Sequence, residues 1–88
     1  MLKVYKYGFT VADFFELSMP EGARILHAAG QSGELYLWAL VNPLNPPEIR
    51  KFRLAGTAHE IYDEPLNYIG SLSLFNKTLS FHLFERLL

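Results

Sequence analysis

Residues 55–61 read Ala-Gly-Thr-Ala-His-Glu-Ile and bring a hydroxyl, an imidazole and a carboxylate close together in the chain. Thr57, His59 and Glu60 supply the side-chain types of covalent catalysis, in which a base activates a hydroxyl and a carboxylate orients the base. The spacing resists that reading. On an extended strand Thr57 and His59 project to one face and Glu60 to the other, so Glu60 does not orient His59 unless the backbone bends between them. The small residues suit a different chemistry. Gly56 and its neighbours let backbone N–H groups approach an anion, and Thr57 adds a hydroxyl donor. Arg50, Lys51 and Arg53, earlier on the same strand, would bring positive charge to a phosphate. A lone glycine with no following helix is no nucleotide fingerprint. The same residues also suit a bulge beside a solvated basic edge that guards against sheet–sheet pairing. No metal site is expected, because His27, His59 and His82 show no ligand spacing such as H-x-H or H-E-x-x-H.

The aromatic residues pose a second question. Tyr5, Tyr7, Tyr36, Trp38, Tyr62 and Tyr68 are of the types that stack on nucleic-acid bases. Stacking platforms normally accompany a basic groove, whereas this chain carries eight basic and nine acidic residues, a net charge of −1. General nucleic-acid binding is therefore not expected, and the aromatics read better as core or subunit interface.

The elements that must position these residues are strands. Lys3, Tyr5, Tyr7 and Phe9 alternate with Leu2, Val4 and Lys6, a period of two. Phe15, Leu17 and Met19 alternate with Glu16 and Ser18 and predict a second strand, with a short helix capped at Thr10–Asp13 as the rival. Met-Pro-Glu-Gly (19–22) is a turn. Gly-Gln-Ser-Gly (30–33) joins two apolar arms as a hairpin. The second arm, residues 35–41, is apolar on both faces and predicts a strand covered on both sides by a facing sheet or a partner subunit. Trp38, at its centre, is expected to be buried. Asn-Pro-Leu-Asn-Pro-Pro-Glu (42–48) cannot be strand interior. A strand through Arg50, Lys51, Arg53 and the opening stretch follows, and an acidic turn comes after it. A last hairpin about Asn76-Lys77 closes the pattern, with Leu79, Phe81 and Leu83 opposite Thr78, Ser80 and His82. Whether Phe84–Leu88 ends as a helical turn or a tail is open.

About seven short strands at roughly ten-residue intervals predict an all-β fold, a compact antiparallel sandwich or small barrel. The 88 residues are expected to form a single domain, 1–88. With no cysteine, disulfides cannot staple it. The composition is half hydrophobic and 15% aromatic, rich for so small a body, and this predicts a homo-oligomer that covers apolar surface. The opening residues have neither the long apolar run nor the small-residue cleavage site of a signal peptide. No stretch approaches the roughly 20 apolar residues of a membrane span. Cytoplasm is the expected location, with no membrane contact.

Several segments together resemble a family of small phage and prophage proteins that share a domain of unknown function. Its pattern is matched by Lys6-Tyr7, by Met19 to Leu26, by Leu37-Trp38-Ala39-Leu40-Val41-Asn42-Pro43, by Phe52 to Ile61, by Tyr68-Ile69-Gly70 and by Phe81-His82-Leu83-Phe84-Glu85. Three positions depart from it. Gly8 replaces a proline, Asn42 an aspartate, and Ala58 the second glycine of a G-T-G-H run, which narrows backbone freedom at position 58. The resemblance implies a phage origin, the cytoplasm of an infected bacterial host, and a small β-fold; it implies no activity. Phages carry such accessory proteins to blunt host defence. The leading expectation is a non-enzymatic protein without a cofactor that sequesters a host nucleotide signal. Its phosphate would meet Arg53, Gly56, Thr57 and His59, and its base would stack on Trp38 or Tyr68. The alternative is a protein-binding inhibitor of a CRISPR or other defence effector. A third reading is a small enzyme using Thr57 and His59.

Overall fold

The computed structural model describes residues 1–88 as seven β-strands without a helix. They are β1 (Lys3–Phe9), β2 (Phe14–Pro20), β3 (Arg24–Gln31), β4 (Glu34–Val41), β5 (Pro47–Gly56), β6 (Leu66–Leu74) and β7 (Leu79–Arg86). All pairings are antiparallel, in a three-stranded sheet ordered β1-β4-β3 and a four-stranded sheet ordered β2-β5-β7-β6. The fold is a sandwich. Its core lies between the sheets, where Leu37, Ala39, Phe52 and Leu83 are fully enclosed.

Alternation decides which face each strand buries. Leu35, Leu37, Ala39 and Val41 turn inward from β4. Met19 from β2, Phe52 and Leu54 from β5, Leu72 and Leu74 from β6 and Leu83 from β7 meet them. Residues 14–20 form a strand and not a capped helix, because period two is what sets Phe15 against Phe52 across the ladder. The rings of Phe9, Phe15 and Phe52 stack in series at centroid distances of 4.5 and 5.1 Å. Each such pair contributes about 0.5–1.5 kcal/mol beyond its burial, and the series ties β1 to the opposite sheet. At the other end of the chain, β7 continues to Arg86, so the last residues are strand followed by an exposed Leu87-Leu88.

Two expectations are corrected. Within a single chain the strand β4 is covered on one face only, because the four-stranded sheet lies on one side and no element crosses the other. Of the two covers expected, the facing sheet supplies just one, and the other would fall to a partner subunit. Trp38 is consequently half-buried, pointing outward between Tyr36 and Leu40. The proline-rich connection is also shorter than its composition suggests. Asn42 folds it back, its carbonyl accepting from Asn45 N at 3.0 Å and its Oδ1 from Leu44 N at 3.1 Å. β5 then begins at Pro47, the first-residue position at which a strand tolerates proline.

Ion pairing fills the inner face where β5 outruns the apolar core. Arg50 donates from Nε and, at 2.9 Å, from Nη2 to the two carboxylate oxygens of Glu85, and from Nη1 to the Ala23 carbonyl at 2.7 Å. Chiefly through the Glu85 hydrogen bond and against the cost of burial, the guanidinium is held above its ordinary range. A raised cationic pKa stabilises the fold below the unfolded value and loses that effect only as pH rises past it, so the contribution is constant through neutral pH.

On one side the sheets close edge to edge, where β3 meets β6. A side chain at Gly30 would set its Cβ 2.0 Å from the Ser73 carbonyl oxygen, a clash with backbone. Gly30→Ala should therefore cost about 3 kcal/mol or more in urea melts. Gly70→Ala, on the facing seam strand β6 but with no atom within 4 Å of its new Cβ, should stay within about 1 kcal/mol of wild type.

Candidate functional site

The outer face of the four-stranded sheet carries the chemistry. Register sets Ala55, His82 and Ser71 level across β5, β7 and β6. Just beyond the end of β5, Thr57 brings its Oγ1 within 2.9 Å of His82 Nε2. On the other side His82 Nδ1 lies 2.8 Å from Ser71 Oγ, which lies 2.8 Å from the Tyr68 hydroxyl. A row of hydroxyl, imidazole, hydroxyl and phenol results, on the order of 10 Å long at hydrogen-bond spacing. In the neutral ring one nitrogen donates and the other accepts. Both are engaged by hydroxyls, so no carboxylate orients this base.

The opening stretch leaves the strand sooner than its pattern suggests. β5 ends at Gly56, and Gly56–His59 form a β-turn closed by His59 N donating to Gly56 O at 3.1 Å. Ala58 occupies its third position at φ +69°, where a type II turn favours glycine. Thr57 and His59 therefore do not share a strand face. The His59 ring lies over Gly56, where an added Cβ would stand 2.8 Å from its Cε1. Gly56 serves that imidazole. The backbone cradle expected here is also not open, since Thr57 N donates to Ser80 O at 3.3 Å and His59 N to Gly56 O.

Arg53 has a different place from the one expected of a phosphate ligand. It is 6% exposed. Its Nη1 donates to the carbonyls of Leu54 at 2.6 Å and Asp13 at 3.2 Å, and its Nη2 to that of Glu60 at 3.0 Å. The ring of Phe14 covers it at 5.1 Å. With those donors spent on backbone, Arg53 anchors the loop that follows Thr57.

Of the residues singled out from the sequence, Thr57 and Tyr68 belong to one row, and Gly56 and His59 adjoin it. Trp38 lies on the outer face of the other sheet, across the sandwich from Thr57. His82 and Ser71 are the members that sequence reasoning missed. The outward phase of Ser80 and His82 was legible, but pairing His82 with Thr57 needs a register between segments 25 residues apart. Beside the row, Gly56, Thr57, His59, Thr78, Ser80 and Phe81 line an open recess of about 370 Å³. A recess of about 380 Å³ at Phe9, Val11, Leu35 and Leu74 is similar in size but has no comparable row of side-chain hydroxyls. No three His, Asp or Glu side chains gather as a metal-binding group.

A seven-stranded antiparallel sandwich with a hydroxyl–imidazole row on one open face is thus the class of protein defined here. The chain belongs to the family described as Domain of unknown function (DUF7352), which matches residues 1–87. No curated protein and no solved structure matches it.

Three substitutions test this geometry. Arg53→Ala removes the guanidinium donor from the Leu54 and Glu60 carbonyls, while Asp13 O keeps Leu54 N at 3.0 Å, and should cost about 2–3 kcal/mol. Asp13→Asn should cost less than about 0.5 kcal/mol, because the Asp13 side chain is 77% exposed. Equal losses in chemical denaturation would refute the anchoring role. Ala58→Gly relieves a left-handed alanine and should stabilise by about 1 kcal/mol, raising the melting temperature by about 4–8 °C.

Proposed function

We infer that this is a non-enzymatic accessory protein of phage origin, acting in the cytoplasm of the infected host by binding a nucleotide-type signal and so opposing antiviral defence. The observation that carries the binding reading is the Thr57–His82–Ser71–Tyr68 row on an exposed sheet face. Such a row offers a phosphate several adjustable donors. When the imidazole donates through both nitrogens, the Thr57 and Ser71 hydroxyl hydrogens are free to turn outward to an anion. Tyr68, 58% exposed, presents a ring to a base at the far end of the row. The neighbouring recess falls within the ~300–1,000 Å³ of small-molecule sites.

The absence of a carboxylate partner for His82 favours binding over turnover, since a nucleophile's base is ordinarily oriented by a third, charged group. The phage origin and the defence context rest on the motif resemblance and on the habits of phage accessory proteins.

A thermal-shift panel of cyclic and linear nucleotides tests the reading. A true ligand at 100 times its dissociation constant should add about 2.7 kcal/mol of stability. Thr57→Val, which keeps shape and removes the hydroxyl, should weaken that ligand about tenfold with the melt of the free protein little changed. Recovery of the nucleotide unaltered after long incubation is expected. Turnover that His82→Ala abolishes would instead make Thr57 and His82 an enzyme's nucleophile and base.

A further inference from the structure

We propose that the outer face of the three-stranded sheet is a docking surface for a second copy of this chain. The proposal is independent of the ligand reading, which concerns the opposite side of the sandwich.

The uncovered face is aromatic at its centre. Trp38 is flanked by Tyr36, with ring centroids 6.2 Å apart, and by His27, stacked at 5.5 Å. Lys6 reaches across β4, its ammonium 4.0 Å from the Tyr36 ring centroid and donating to Gln31 Oε1 at 2.6 Å. Its charge is folded onto the face and does not project from it. Val4, 55% exposed, extends the apolar area. Aromatic residues in a cluster of this kind are what interface centres are enriched in.

The charges at the two ends select the occupant. Arg24 stands level with Leu40 at one end of the face, and Glu34 begins β4 at the other. Their levels are about 20 Å apart along the strands, with Trp38 near the midpoint. Arg24 makes no ion pair within the chain. An isologous contact needs a surface complementary to itself under a two-fold rotation. A second copy turned about an axis that crosses the strands near Trp38 sets Arg24 toward the Glu34 end of its mate, twice, and lays the aromatic centres together.

Shape points the same way. The chain is a plate of 39 × 32 × 16 Å with a Cα radius of gyration of 13.1 Å, against about 12 Å for a compact chain of this length. Two plates stacked at a sheet spacing of about 10 Å form a nearly isometric body. The face is about 24 by 14 Å in plan, below the ~800 Å² that each partner commonly buries in a stable complex. The dimer is thus of the micromolar, concentration-dependent kind.

Equilibrium sedimentation across the micromolar range, with circular dichroism to verify folding, tests this. Wild type should show a monomer–dimer equilibrium. Arg24→Glu and Glu34→Arg should each weaken it about tenfold or more. An equimolar mixture of the two variants, and the chain carrying both substitutions, should regain it. A wild type that stays monomeric throughout, single variants that associate like wild type, or a mixture no better than its components would each overturn the proposal.

Discussion

The guanidinium of Arg53 gathers carbonyls from three places in the chain: Asp13 before β2, Leu54 in its own strand, and Glu60 beyond the turn. It does so on a face of the sheet that would otherwise be solvated, beneath the ring of Phe14. A buried carbonyl left without a donor costs about 1–3 kcal/mol; Asp13 O also accepts from Leu54 N, so it is the Leu54 and Glu60 carbonyls that depend on Arg53. Geometry follows from that energy. With Glu60 held back against Arg53, the chain must reverse at Thr57-Ala58, and the reversal brings Thr57 to His82. A left-handed alanine is tolerated at position 58 because the segments on either side leave no alternative path. The hydroxyl–imidazole row is in this sense a consequence of where one arginine is buried.

Most of the fold was legible because one-sided burial imposes period two, and period two survives in a single sequence. Phe15, Leu17 and Met19, or Leu79, Phe81 and Leu83, announce both the strand and the face it buries. The pattern misleads where apolar residues serve the outside. Leu35 to Val41 read as a strand covered twice, yet alternate residues face a surface that nothing within this chain covers. It misleads again at positions 53 and 57. A basic residue at a strand's outward phase reads as solvated, and only tertiary placement of Asp13 and Glu60 makes Arg53 a buried anchor. Thr57 and His59 read as neighbours on one face until the turn separates them. The partnership of Thr57 with His82 depends on the order β5-β7-β6, and local pattern does not encode strand order.

The two sides of the sandwich are closed by different means, and the difference shapes the surface. Where β3 meets β6, the absence of a side chain at Gly30 lets backbone touch backbone, and the seam is shut. On the opposite side no seam of that kind forms, and contact between the sheets depends on the ring series Phe9, Phe15 and Phe52. Tyr5 and Tyr7 line an open recess there beside Met19 and Pro20. Burial, and secondarily Tyr5 beside it, holds the Tyr7 phenol above its ordinary range. A small chain thereby spends its aromatics on edges and on both outer faces, and keeps a core of aliphatic side chains around the single fully buried ring of Phe52.

Those placements bear on how the two faces relate. The Thr57–His82 row and the Trp38 cluster belong to different sheets and point in opposite directions through a plate 16 Å thick. A ligand seated on the row cannot also stack on Trp38 of the same chain. A face-to-face pair built on the three-stranded sheets does not join them either, because it encloses Trp38 and leaves both rows on the outer surfaces of the assembly. A ligand on either row would then meet the donors of one chain alone, and stacking on a base would fall to Tyr68. On the proposed reading, self-association in this geometry would make the protein bivalent without changing the intrinsic affinity of either site. Coupling between assembly and binding would need a physical path through the sandwich, and its packed middle layer of Leu37, Leu54 and Leu83 offers no polar group that two arrangements could share.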